Sequence, residues 1–188
     1  MNNFATPSCP PDIIGKAMNL NYPIRNSVRI ILLNDQNELL LMCIDDPRTK
    51  QIGEEYKGRF WTLAGGEIEN GEDIEKTAIR ELAEETGLSE KDIELGPVVW
   101  TGELDLILYG KPTHIKEKYI VARTKKKDVS ITNLTEEEIG VVKELAWFSL
   151  NQITNSKETI FPTLLSQYLP DIIKGDYPKK PLEIVKEA

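Results

Sequence analysis

The sequence predicts one α/β domain of the α+β type, a β-rich chain with two helical regions. Two observations carry this reading. Apolar runs of strand length recur between turn signals along most of the chain. Residues 74–83 instead repeat apolar side chains at helical spacing, and a second such stretch, Ile160–Ile173, closes the domain. At 188 residues and 40% hydrophobic, the chain is long enough to bury one good core.

The elements follow in order. Residues 1–24 hold Pro7, Pro10, Pro11 and Pro23 and read as an extended arm. Ser27–Leu33 and Glu38–Ile44 are apolar strands joined across Asn34-Asp35-Gln36-Asn37 as a hairpin. Asp45–Gly58 is a polar loop, and Arg59–Leu63 a short strand. Asn70-Gly71 is a turn, after which Glu72 and Asp73 place negative charge where a helix N-terminus favours it. Ile74, Ala78, Ile79, Leu82 and Ala83 form the apolar stripe of that helix, and Gly87 is placed to end it in a left-handed conformation. Ile93–Tyr109 and Ile115–Thr124 read as long strands around a turn at Gly110–Thr113. Lys125-Lys126-Lys127-Asp128 is a solvated turn. Val142–Ser149 is a further strand, and the helix in Ile160–Ile173 starts or kinks near Pro162. With no internal repeat or dividing linker, the domain spans 25–175 and leaves 176–188 as a tail.

The chemistry concentrates in GGEIENGEDIEKTAIRELAEETGL, Gly65 to Leu88. Within it Gly66, Glu72, Arg80, Glu81, Leu82, Glu84, Glu85, Gly87 and Leu88 stand at fixed spacings. A random window matches all nine positions with a chance on the order of 10⁻¹⁰. Glu81, Glu84 and Glu85 lie at i, i+3 and i+4, on one stripe of the helix. Like charges so placed repel by a few tenths of a kcal/mol per pair, roughly. A hard divalent cation removes that penalty, and carboxylate oxygen is what Mg²⁺ or Mn²⁺ prefers. The alternative for such a stripe in isolation is a solvated acidic face; the fixed Gly66, Glu72, Arg80 and Gly87 weigh against it.

These nine residues form a complete Nudix box, and the chain resembles the Nudix hydrolases from about Asn26 to Ile173. The resemblance implies the Nudix fold, a mixed β-sheet sandwiched between α-helices. It implies Mg²⁺-dependent hydrolysis (Mn²⁺ in its place) of the diphosphate linkage of a nucleoside diphosphate derivative, by water attack at phosphorus. It implies a metal set of Gly65 carbonyl, Glu81, Glu84 and Glu85, with Glu81, Glu84 and Arg80 catalytic. Arg80 is expected to orient the glutamates from behind; Gly66, Glu72 and Gly87 shape the box. On a straight helix Glu72 and Arg80 are about 12 Å apart, so they pair only if Glu72 sits in a curled loop before the helix. Ala64 stands where this family commonly has proline, a departure that removes no ligand.

Outside the box, Arg25 and Arg29 lie near the first strand, where related enzymes place substrate-contacting arginines; surface ion pairing is the alternative. Trp61 is a candidate for stacking on a base, against the simpler expectation of a buried tryptophan. Glu117 faces either the site or solvent, according to strand alternation. Glu138 is a candidate metal ligand or base, but Thr135-x-x-Glu138 also reads as a capping box starting a short helix, the reading preferred here. His114 is expected in a loop, without a catalytic role.

The formal charge of −8 argues against binding long nucleic acids, whose affinity comes from Lys and Arg contacts to phosphate. It leaves room for a small nucleotide, since bound metal inverts the local potential. No apolar stretch suits a membrane span or a signal peptide, so a cytoplasmic monomer or homodimer is expected. Cys9 and Cys43 are too few and too separated to frame a disulfide scaffold or metal site. The auxiliary marks of ADP-ribose, NADH, coenzyme A and diadenosine polyphosphate hydrolases are absent from their expected places, which leaves a nucleoside triphosphate or a nucleotide sugar as substrate. Two rival classes share the fold: an isopentenyl-diphosphate isomerase, which needs a cysteine in the site, and a non-catalytic nucleotide-binding module. The intact box favours the hydrolase.

Overall fold

The computed structural model describes residues 22–131, 134, 136 and 138–184. Its elements are β1 (Ile24–Leu33), β2 (Leu39–Ile44), β3 (Lys50–Gln51), β4 (Phe60–Thr62), α1 (Ile74–Thr86), β5 (Glu94–Leu108), β6 (Lys111–Arg123), β7 (Val142–Phe148), α2 (Leu150–Thr154), α3 (Leu165–Lys174) and β8 (Leu182–Glu183). The strands form one sheet in the order β3-β5-β6-β1-β2-β4, with β7 also pairing β2 and β8 pairing β5. β1 runs parallel to β6, from Ile24 opposite His114 to Leu33 opposite Arg123, while β5 and β6 are antiparallel. The sheet is therefore mixed.

Strand β1 shows why the sheet is covered on both faces. Its residues 30–33 are apolar without a break and fully buried, the pattern of a strand covered on two sides. Val28, Ile30 and Leu32 pack with Ala78, Leu82 and Leu88 on the α1 side. Ile31 and Leu33 pack with Ile153, Leu165, Leu169 and Ile172 on the side of α2 and α3. The expected sandwich of sheet between helices is what forms.

Several boundaries differ from the sequence reading. The β5–β6 hairpin turns at Tyr109-Gly110, with φ of 49° and 84°, the two left-handed positions of a tight primed turn. β6 therefore begins at Lys111, and His114 belongs to a strand rather than a loop. The 45–58 loop lays its β3 segment against β5, Lys50 opposite Ile107. Helix α3 begins at Leu165, because the chain before it is held extended against β4: Trp61 N donates to Thr159 O and Phe161 N to Trp61 O. The stretch after α3, read as a tail, returns to the sheet, where Leu182–Glu183 pairs with β5 and Ile184 is buried.

Candidate active site

The box begins as a turn pressed against β1. Ile30 N donates to Ala64 O and Val28 N to Gly66 O, both at 2.9 Å. The intervening Gly65 carbonyl points to the other side, as strand alternation requires. Gly65 has φ 128°, and a Cβ there would stand 2.2 Å from Val28 O. A Cβ on Gly66 would stand 2.3 Å from Glu81 Oε1. Both glycines are thus required by close approach, one to backbone and one to a carboxylate.

Helix α1 carries the carboxylates. Asp73 caps it by accepting from Lys76 N at 2.9 Å, and Gly87 ends it at φ 71°. Glu85 is buried and accepts from Gly65 N at 2.8 Å, which ties the helix to the turn. Glu81 is also buried, and Glu84 is the most open of the three, its side chain 35% exposed. Burial, with repulsion from Glu81, pushes the Glu85 carboxyl well above the usual carboxylate range. Burial likewise raises Glu81, against the pull of Arg80.

Arg80 bonds the carboxylate stripe from beside it and itself lines the adjoining cavity. Its Nε and Nη2 donate to Glu72 Oε1 and Oε2, each at 3.0 Å, and Nη1 reaches Glu81 at 2.8 Å and Glu84 at 3.2 Å. Glu72 stands in the loop just before the cap, where the pairing requires it. The Arg80 hydrogen bonds, reinforced by Thr77, bring the Glu72 carboxyl down to about 2. Among the described residues, no three His, Cys, Asp or Glu side chains converge closely enough to hold an ion alone. The expected three-glutamate set is thus not assembled by protein atoms alone; Arg80 engages Glu81 and Glu84. Mg²⁺ usually takes one or two carboxylates and keeps several waters. The Gly65 carbonyl with Glu81 and Glu85 suits that requirement.

The cavity beside these groups measures about 580 Å³ and is lined by all three glutamates, Gly65, Gly66, Arg25, Arg29, Glu117 and Glu138. Glu117 faces it, resolving the alternation, but both its oxygens are engaged: Arg29 Nε donates to Oε1 at 2.8 Å and Tyr119 Oη to Oε2 at 2.5 Å. Arg25 bonds Ser27 Oγ at 3.3 Å and lies 3.8 Å from Glu67. Glu138 stands in a turn over 138–141 rather than in a short helix, and its supposed capping partner Thr135 lies outside the described residues. Its charge is felt at both Glu81 and Glu85.

The candidate Trp61 and the lone histidine both fall away from the cavity. Trp61 is 4% exposed, packs edge-on against Phe148 and donates Nε1 to Glu158 at 3.0 Å, so it is a core residue and no base-stacking platform. His114 is buried between Asp105, 2.7 Å from Nδ1, and Glu103, 3.4 Å from Nε2, away from the cavity wall. What sequence reasoning missed is the far wall: Leu104, Leu106 and Leu108 of β5, and Tyr56. The alternate leucines of β5 were the available signal. The 45–58 loop is fastened over them, with Tyr56 Oη on Asp45, Arg48 on Asp46 and the Arg48 guanidinium 5.4 Å from the centre of the Tyr109 ring.

Comparison with known proteins bears on the family and the fold. The family model of the NUDIX domain matches residues 23–168. An RNA pyrophosphohydrolase of Pelagibacter ubique is 29% identical over 144 residues, 72% of this chain and 83% of that protein. The fold is similar to a MutT protein from Methanosarcina mazei (TM-score 0.54, 21% identity, covering 86% of this chain and 100% of that one). It is also similar to a C. elegans Ap4A hydrolase (TM-score 0.55, 20% identity, covering 80% and 98%). The chain belongs to the Nudix hydrolase family, and its enzyme class is that of the Nudix pyrophosphohydrolases.

Proposed function

We propose that the chain hydrolyses the diphosphate linkage of a small nucleoside diphosphate derivative, a nucleoside triphosphate or a nucleotide sugar, with Mg²⁺ or Mn²⁺ as cofactor. The observation that carries this reading is a single cavity lined by Gly65, Glu81, Glu84 and Glu85, with the Gly65 turn tied to Glu85 through its amide. Gly65, Glu81, Glu84 and Glu85 would hold the cation, which neutralises phosphate charge and lowers the pKa of water. Arg80 holds Glu81 and Glu84 in place, and Glu85 fixes the turn through the Gly65 amide. Glu84, the most open box carboxylate, and Glu138, which lines the same cavity, would take a proton from the attacking water. Glu117 is not, since Arg29 and Tyr119 occupy both its oxygens.

Among the described residues the isomerase alternative finds no cysteine at the cavity: Cys43 is 1% exposed in the core and does not line it. A non-catalytic module is disfavoured by the complete box. The proposed setting is the cytoplasm, as monomer or homodimer; among the described residues no helix is long and apolar enough to cross a membrane. The test is release of phosphate, pyrophosphate or nucleoside monophosphate from a panel of nucleoside triphosphates, nucleotide sugars and a 5′-triphosphorylated RNA. The RNA is included because of the name of the Pelagibacter relative. Turnover of a small nucleotide with Mg²⁺ supports the proposal; turnover of the RNA alone refutes its substrate class.

A further inference from the structure

Gly65 is held from more directions than a turn needs. Its N–H donates to Glu85 Oε2 at 2.8 Å, and its carbonyl accepts from Arg29 Nη1 at 3.0 Å. The neighbouring carbonyls of Ala64 and Gly66 are taken by β1 amides. Both peptide units flanking Gly65 are therefore pinned, at a residue whose missing side chain would otherwise let the backbone rotate. The Arg29 contact is itself braced. Arg29 Nε donates to Glu117, and Glu117 accepts from the hydroxyl of buried Tyr119, which sits directly across from Arg29 in the β1–β6 register.

We infer that Arg29 is a positioning residue, which with Glu117 and Tyr119 fixes the direction of the Gly65 carbonyl and so sets the affinity of the site for a divalent cation. This rests on the metal reading above. A carbonyl oxygen has two lone pairs, so one donor leaves the other available to a ligand. Arg29 is committed through two donors to protein atoms, on a side chain 22% exposed. Lysine cannot reproduce that planar fork, because its ammonium has no second donor arm in fixed geometry. Tyr119→Phe removes only the terminal hydroxyl, in a residue of the core cluster.

The experiment measures Mn²⁺ binding by electron paramagnetic resonance without substrate, alongside kcat and KM, in wild type, Arg29→Lys and Tyr119→Phe. Partners that orient a metal ligand cost about 10–100-fold in metal affinity or activity when removed. Arg29→Lys is expected to weaken Mn²⁺ binding about tenfold and to lower kcat, with substrate KM at saturating metal within about twofold of wild type. Tyr119→Phe is expected to shift both in the same direction by less, and it keeps the question open to measurement if Arg29→Lys does not fold. Unchanged Mn²⁺ binding with a raised KM would make Arg29 a substrate ligand and overturn the inference. Unchanged values throughout would overturn it equally. Because the binding readout needs no substrate, a wild type that binds Mn²⁺ but cleaves nothing would contradict the proposed hydrolysis and not the role of Arg29.

Discussion

Glu72 and Arg80, eight residues apart, meet in a two-pronged ion pair with both contacts at 3.0 Å. The pair closes the loop before α1 onto its second turn, and Arg80 Nη2 also donates to Glu67 O at 2.9 Å. Arg80 therefore links loop and carboxylates in one network.

That network predicts an acid limb in stability. The Glu72 carboxyl is lowered from 4.5 to about 2 in the folded chain. Its contribution is present above the unfolded value and is lost as pH falls through the folded one. The difference in Tm between wild type and Glu72→Gln should shrink between pH 4.5 and about 2. A difference constant with pH would show that the pairing adds nothing through charge.

Glu85 predicts the opposite sign. Its folded pKa is raised by burial, so ionised Glu85 costs stability above that value, and acidification toward the unfolded 4.5 recovers it. Metal-free Glu85→Gln should therefore melt higher than metal-free wild type at pH 7, while its amide oxygen still accepts from Gly65 N. Divalent metal should raise Tm in wild type and not in the variant. A variant that melts lower, with the Gly65 turn intact, would show that the carboxylate is not under strain.

The two glycines of the turn should separate stability from activity. Gly65→Ala meets backbone at Val28 O and holds a residue at φ 128°, a conformation that costs about 1–3 kcal/mol in itself. It should lower Tm strongly. In Gly66→Ala the nearest atoms met are those of the Glu81 carboxylate, a side chain that can move. That variant should keep most of its Tm and lose metal binding. Thermal melts beside Mn²⁺ titrations read both; equal losses of Tm would contradict the distinction.

Glu138→Gln separates a charged role from a structural one. Placed on the cavity wall with its charge felt at Glu81 and Glu85, it should lower kcat at unchanged Tm. Trp61→Ala should do the reverse, costing about 3–5 kcal/mol of stability as a large buried side chain is deleted. A Glu138→Gln enzyme as active as wild type would restore the capping reading.

The box was legible because its function needs particular residues at fixed distances: a glycine where Val28 O leaves no room, and glutamates at helical spacing. Strands β1, β2 and β6 were legible because burial on both faces leaves continuous apolar runs. Three things were not. The direction of Arg29 depends on Gly65, 36 residues away, and no local pattern records it. The placement of His114 turned on where the hairpin bends, which Tyr109 decides by adopting a positive φ that tyrosine rarely takes. The extended run before α3 is set by pairing with β4, which outweighs its apolar composition.

On the proposed function, the Gly65–Glu81–Glu85 corner, completed by Glu84, works as a metal-dependent hydrolytic site. The most direct measurement is kcat on the best small nucleotide of the panel, with saturating Mg²⁺ and after chelation, in wild type and Glu84→Gln. Wild type should turn over only with Mg²⁺, and Glu84→Gln, folded to the same Tm, should be slower by about 10²-fold or more. Full wild-type activity after exhaustive metal removal, or a Glu84→Gln enzyme as fast as wild type, would contradict it.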